Sequence, residues 1–210
     1  DASGDTSKYL SHLSYANVMN PQQNPMVAWT LGRAWERYRD RGIDDDLRSH
    51  LRDEALHGAD WLVRMQDQVG FFYTTVFDGW TKDPAQRELC SYATHAGHKS
   101  ADYQAGWRQG GGMAVAALAL ASRLGGGGAY SADGYRTSAL TGFRHLVEHG
   151  LSSLDDGTEN LIDETCALLA AAELAVVAPH DDVLAELDRR LAGILTLRRE
   201  SDDHVWLVMD

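Results

Sequence analysis

Apolar residues recur at helical spacing along most of the chain. Val27, Leu31, Ala34, Trp35 and Tyr38 fall on one face of a helix that Pro25 opens and that runs to about Arg39. Leu47, Leu51, Ala55, Ala59, Leu62 and Met65 form the stripe of a second helix, from the Asp44–Asp46 run to about Gln68, ended by Gly70. The three acids at its start read as a cap and a complement to the helix dipole rather than as a metal site. Met113–Ala121 has no polar residue and forms the middle of a helix predicted over Tyr103–Leu124, stopped by Gly125–Gly128. Residues 135–149 are amphipathic, with Leu140, Phe143, Leu146 and Val147 on one side. Residues 162–178 are apolar on nearly all faces up to Pro179, and residues 182–198 are amphipathic again, with Leu184, Leu187, Leu191 and Leu195 aligned. Phe71–Phe77 is aromatic and β-branched and predicts a short strand. Residues 78–102 read as irregular, Asp155–Gly157 as a turn, and Val205–Asp210 as strand-like.

A helix that is apolar all round is buried, and one with a single apolar stripe covers something. The alternation of the two kinds predicts paired layers of helices. The expected fold is all-α: an (α/α)6 toroid, present as a portion of about six helices in two layers with a few short strands. A helical solenoid has the same alternation, but no fixed sequence period supports one. The core of Met113–Ala121, rich in Ala and following Gly110–Gly112, suits close helix approach. Trp29, Trp35 and Trp61 sit at core spacing.

Length and charge narrow the classes. At 210 residues with 44% hydrophobic and 24% charged, the chain reads as one globular domain over 1–210 with ample core. A balance of 19 basic against 31 acidic residues, net −12, lacks a nucleic-acid footprint and suits no anionic membrane. No apolar run reaches the ~18–20 residues of a membrane span, the nearest being Cys166–Pro179, interrupted by Glu173. Cys90 and Cys166 form no CxxC; two buried free thiols are expected in preference to one disulfide. The chain begins without Met at Asp1 and stops in a strand-like run, which suggests a piece of a longer protein.

Candidate chemistry gathers in three places. Asp1-Ala2-Ser3-Gly4-Asp5 holds two carboxylates four apart with small spacers, in a polar loop over residues 1–24. One acid can hold a water while its neighbour orients it, the geometry of a general base. The bland alternative is an Asx turn. In Ser100–Gly112, Tyr103 and Trp107 lie four apart beside Arg108 and can stack on a sugar ring, or Trp107 can belong to the core. Asp78-Gly79-Trp80 is a turn whose Trp80 either packs on the helices or lines a cleft. His95, His98 and Asp102 are too sparse for a metal site. There is no nucleophile elbow and no dinucleotide loop, and Gly125–Gly128 precedes no phosphate-binding signature.

Taken together, these stretches resemble glycoside hydrolase family 9. Asp1–Asp5 with Ser7-Lys8-Tyr9 looks like that family's Asp-Ala-Gly-Asp loop, and Ala55–Gln66 resembles the helix after it. Phe71-Phe72-Tyr73 through Asp78-Gly79-Trp80, Met113–Ser122, and Leu161–Glu164 into Cys166–Ala171 resemble later parts in the right order. The extra Ser3, Ser11–Asn17, Asn20–Gln23 and Gly106–Gly111 are similar to a bacterial exo-β-glucosaminidase branch.

The resemblance implies an (α/α)6 barrel and inverting hydrolysis of a β-1,4-linked glucosaminide. Two carboxylates would flank the bond ~6.5–9.5 Å apart, with the water between them. Asp5 would be the general base and Asp1 its partner, with Tyr103, Trp107, Arg108 and Trp80 binding the sugar. The family's general acid, a Glu far towards the C-terminus, has no matching motif, and Glu164 and Glu173 match other parts of the family. No cofactor and no metal are implied. The partner is an oligosaccharide derived from chitosan or cellulose, with no nucleic acid or membrane. A β-1,4-glucanase is the runner-up and a non-catalytic sugar-binding toroid the third reading. A glucosaminidase would favour the cytoplasm, a cellulase secretion.

Overall fold

A computed structural model describes residues 24–38, 41, 44–73, 75–77, 88–90, 104–154, 156–200 and 204–207. Among the described residues six α-helices carry the fold: α1 Asn24–Tyr38, α2 Asp45–Arg64, α3 Gly112–Ala121, α4 Ala132–His149, α5 Leu161–Val177 and α6 Asp181–Thr196. It is an all-α architecture with two short antiparallel hairpins, β1 Thr75–Phe77 on β2 Glu88–Cys90 and β3 Arg198–Glu200 on β4 Val205–Leu207.

The helices pair as three hairpins, α1 with α2, α3 with α4 and α5 with α6. One layer is α1, α3 and α5, with α3 touching both others; α2, α4 and α6 form the second layer. Contacts between α1 and α3 rise together in number, Gly32 against Leu120 and Glu36 against Arg123. Those between α3 and α5 do the same, Gly112 against Cys166 and Arg123 against Glu173. Helices α1, α3 and α5 are therefore parallel, and their partners run back against them.

Local chemistry sets the helix starts. Asp44 accepts from the Asp46 and Leu47 amides at 2.9 and 3.2 Å, as its capping role predicts. Ser131 caps α4 through the Gly134 amide at 3.0 Å. Asn160 and Asp163 cap α5 reciprocally, Asn160 Oδ1 taking the Ile162 amide at 2.8 Å and Asp163 Oδ2 the Asn160 amide at 3.0 Å. Every residue of α3 is buried, which makes it the axis of the core.

Several expectations are corrected. Helix α2 ends at Arg64 rather than near Gln68, because Gln66 leaves the helix to bridge Phe72. Of the predicted strand, Phe72 and Tyr73 make isolated bridges and only Thr75–Phe77 is a strand. A strand at Glu88–Cys90 falls in the stretch read as irregular. Helix α3 starts at Gly112, not Tyr103, after a π-turn over Trp107–Gly111 in which Gly110 takes φ 115°. That left-handed conformation suits glycine and interrupts a regular helix.

The buried faces also differ. In α1 the fully buried ridge is Pro25, Ala28 and Gly32, while Val27 and Tyr38 are exposed. In α6 the buried side is Val183, Glu186 and Arg190, and Leu184, Leu191 and Leu195 are exposed, Leu195 at 54%. Helix α5 is not buried all round, since Ile162 is exposed and Val176 reaches 67%. Trp61 is buried as expected, and Trp29 and Trp35 pack against the core while partly exposed. Cys166 is a free thiol, and burial together with the Asp163 charge pushes its pKa up to about 11. Among the described residues no helix is long and apolar enough to cross a membrane.

Candidate functional site

The connections are unequal in length, and the inequality follows the layers. Within hairpins the turns are short: residues 39–44, 122–131 and 178–180. Between hairpins they are residues 65–111, by far the longest connection, and 150–160, which exceeds 122–131 by a single residue. Because α1, α3 and α5 are parallel, both longer connections reach the end where these three helices begin. Residues 1–23 also enter α1 at that end. We call it the head and the opposite end the base. Loops set on a rigid scaffold are where binding and catalytic groups concentrate.

Asp1, Asp5, Trp80 and Tyr103 belong to segments that join the chain at the head, and they lie outside the described residues. The same holds for His95, His98 and Asp102. Trp107 and Arg108 are described: Trp107 departs from the sugar-stacking role expected of it, and Arg108 is engaged by the protein's own carboxylates.

Trp107 is 0% exposed. Its ring meets Phe143 edge to face at 5.9 Å, and the Arg190 guanidinium sits 5.1 Å from its centroid. Gly150 lies against the indole nitrogen, so the absence of a side chain there lets the ring enter. Trp107 is thus enclosed inside the protein, and the core reading replaces the stacking one.

Arg108 is held by the protein. Nη1 donates to Asp163 Oδ2 at 2.7 Å and to the Thr158 carbonyl at 3.0 Å, and Nη2 donates to Asp156 Oδ2 at 2.7 Å. Its backbone amide also donates to Asp163 Oδ1 at 3.0 Å. The Arg108 hydrogen bond holds the Asp156 carboxyl below the usual carboxylate range. The fork ties the π-turn to the start of α5, so Arg108 positions the loop that follows Tyr103 and is not a free guanidinium.

The cluster next to it has no counterpart among the sequence motifs. Arg190 is 2% exposed, yet it donates to three carboxylates: Glu159 at 2.7 and 3.0 Å, Glu164 at 3.1 Å and Glu186 at 2.7 Å. Arg189 adds bonds of 2.6 and 2.7 Å to Glu186. Burial raises the Glu186 pKa, but the two arginines outweigh it and hold the carboxyl below its ordinary value. A hollow of about 230 Å³ opens beside the cluster, lined by Glu159, Asn160, Leu161, Glu164, Gly193 and Thr196 together with Leu197. Only a helical-wheel reading with Arg190 turned inwards would have found this cluster, and the leucine stripe of α6 argued against it.

At the base a second network joins the parallel helices. Glu173 accepts from Trp29 Nε1 at 2.7 Å and from Arg123 at 2.6 Å, and Arg123 also donates to Glu36 at 2.6 Å. Arg33 donates to the same Glu36 at 2.6 Å. Glu173 is therefore part of a structural lock between α1, α3 and α5, at the end away from the long connections.

At the head Asp156, Asp163, Glu159, Glu164 and Glu186 surround Arg108, Arg189 and Arg190, a floor of buried and partly buried ion pairs. Such a floor holds loop anchors rigidly, and its carboxylates outnumber its arginines, which favours a cationic ligand over an anionic one. Among the described residues no group of three His, Cys, Asp or Glu is arranged to hold a metal. No protein-family model matches the chain, and no curated protein matches it.

Proposed function

We propose that the chain belongs to an inverting glycoside hydrolase that cleaves β-1,4-linked glucosaminides from the end of the oligosaccharide. What supports this reading is a sequence resemblance together with the end of the helices at which α1 begins. The segment with Asp1 and Asp5, which resembles the catalytic loop of glycoside hydrolase family 9, joins α1 at the same end as the long connections. The order of the other similar stretches and the layered helical hairpins support it.

In this reading Asp5 takes a proton from water while Asp1 holds that water; the water attacks the anomeric carbon from the face opposite the leaving group, the glycosidic C–O bond breaks, and the leaving oxygen takes a proton from a general-acid carboxyl, a role the resemblance gives to a Glu with no matching motif in this sequence. Tyr103 and Trp80 remain candidates for sugar contact. Trp107 and Arg108 act beneath the site, fixing the loop that Tyr103 precedes. The ammonium of a glucosaminide suits a chain of net charge −12 and the acidic floor of the head.

The test is turnover of the β-1,4 glucosamine disaccharide by the full-length protein, followed by proton NMR of the new anomeric centre. Release of the α-anomer is expected, and Asp5→Asn should abolish turnover while leaving sugar binding largely intact. Retained turnover in Asp5→Asn removes that residue from the mechanism. Turnover of cello-oligosaccharides alone selects the glucanase, and binding without reducing-end release selects the non-catalytic toroid.

A further inference from the structure

The last turns of α4 carry two histidines that the glycosidase reading leaves unused. His145 and His149 stand four residues apart, their ring centroids separated by 4.7 Å and their planes tilted by 52°. Four-residue spacing on a helix is the arrangement in which two imidazoles reach one ion. His145 is half-buried against Phe71, with ring centroids 5.9 Å apart, and a backbone hydrogen bond to Val69 braces it. A second bond of this kind is what fixes the ring of a metal-ligating histidine. Its Nε2 lies 2.6 Å from Gln104 Oε1, an amide oxygen on a separate segment.

Charge favours a cation there. The Glu148 carboxylate stands 3.7 Å from His149 Nε2, and the Asp67 carboxylate acts on His145 from the segment packed against α4. Asp67 is itself fixed by the Tyr73 hydroxyl at 2.5 Å.

We propose that His145, His149 and the Gln104 amide oxygen bind one borderline divalent cation of the zinc type, with water completing the coordination. Imidazole nitrogens select zinc, copper or nickel over calcium or magnesium, which prefer all-oxygen sites. The ion joins α4 to Gln104, whose backbone bridges Tyr73. Three segments at the head are then tied by a single centre.

The experiment is calorimetric titration of the full chain with zinc chloride alone at neutral pH, repeated with His149→Ala and His145→Gln. One zinc equivalent is expected, weakened at least about tenfold in each variant, with calcium chloride giving no binding at the same place. Long-range proton–nitrogen spectra should show the His145 and His149 ring nitrogens moving together as zinc is added. Absence of zinc binding overturns the proposal. So does unchanged affinity in His149→Ala, or zinc that moves only other histidine rings. If His145→Gln does not fold, the exposed His149→Ala and the spectra decide the question.

Discussion

Arg123, just past the last residue of α3, donates Nη2 to Glu173 Oε2 on α5 at 2.6 Å. The same guanidinium reaches Glu36 on α1, so a single side chain spans all three parallel helices. Glu173 is buried, and among the described residues it would keep only the Trp29 N–H without Arg123.

Arg123→Met should therefore destabilise the fold by about 3 kcal/mol, at the lower end of the cost of orphaning a buried charge because Arg123 is partly exposed. Glu173→Gln keeps an acceptor for Trp29 and should cost less. Urea denaturation of the two variants checks the order, and equal losses would contradict it.

Gly112 packs so closely on α5 that a Cβ there would lie 2.9 Å from Cys166 Cβ and from its carbonyl oxygen. Backbone atoms cannot swing aside as a side-chain end can. Gly112→Val should cost at least about 3 kcal/mol through overpacking. Gly110→Ala, strained by φ 115°, should cost about 1–2 kcal/mol. Thermal melts that rank these two variants the other way would refute the close-approach account.

Asp163 is 0% exposed and accepts from the Arg108 amide, the Arg108 guanidinium and the Asn160 amide. Asp163→Ala should cost about 3–5 kcal/mol, as for a broken buried pair. Its specific mark is faster hydrogen exchange at the Arg108 amide. Exchange there as slow as in the parent would mean that another group holds the π-turn.

Stability should fall on both sides of neutrality. Burial holds His145 below its ordinary pKa of 6.5, so the fold prefers the neutral ring, and this stability is lost as pH falls below 6.5. Glu186, held below 4.5 by Arg189 and Arg190 against the opposing effect of burial, adds a second loss as pH falls below 4.5. Tyr73 is pushed up to about 12 by burial and by Asp67, so its contribution holds below pH 10 and disappears as pH rises from 10 to about 12. Melting temperatures across this range should show a plateau bounded near those values. His145→Gln should remove the step that begins at 6.5.

Cys166, with its thiol pushed up to about 11, should resist alkylation in the native state at pH 8 and react quickly once unfolded. Mass spectrometry of the Cys166 peptide after a brief iodoacetamide pulse reads this directly.

Helix number and order were legible in the sequence because Pro25, Asp44, Gly125–Gly128 and Pro179 punctuate the chain by local chemistry. Which face each helix buries was less legible. The aligned leucines of α6 predict a core side, yet Arg190 is turned inwards by Glu159, Glu164 and the Trp107 indole, all distant in sequence, together with Glu186 one turn earlier on the same helix. Tertiary pairing of that kind leaves no periodic trace. Trp107 shows the converse: its local setting fits an exposed platform equally well, and only Gly150, Phe143 and Arg190 decide for the interior. Of the candidate site, Arg108 was singled out, but its pairing with Asp156 and Asp163 was not legible, since these partners lie 48 and 55 positions away.

Gly125 and Gly126 adopt φ of 90° and 81°, with no atom near where a side chain would stand, in a turn at the base. A fluorophore or a tether inserted between them would project away from the head. Molecules anchored on a surface through this turn would all present the same end to solution, which makes it a natural place from which to watch single binding events.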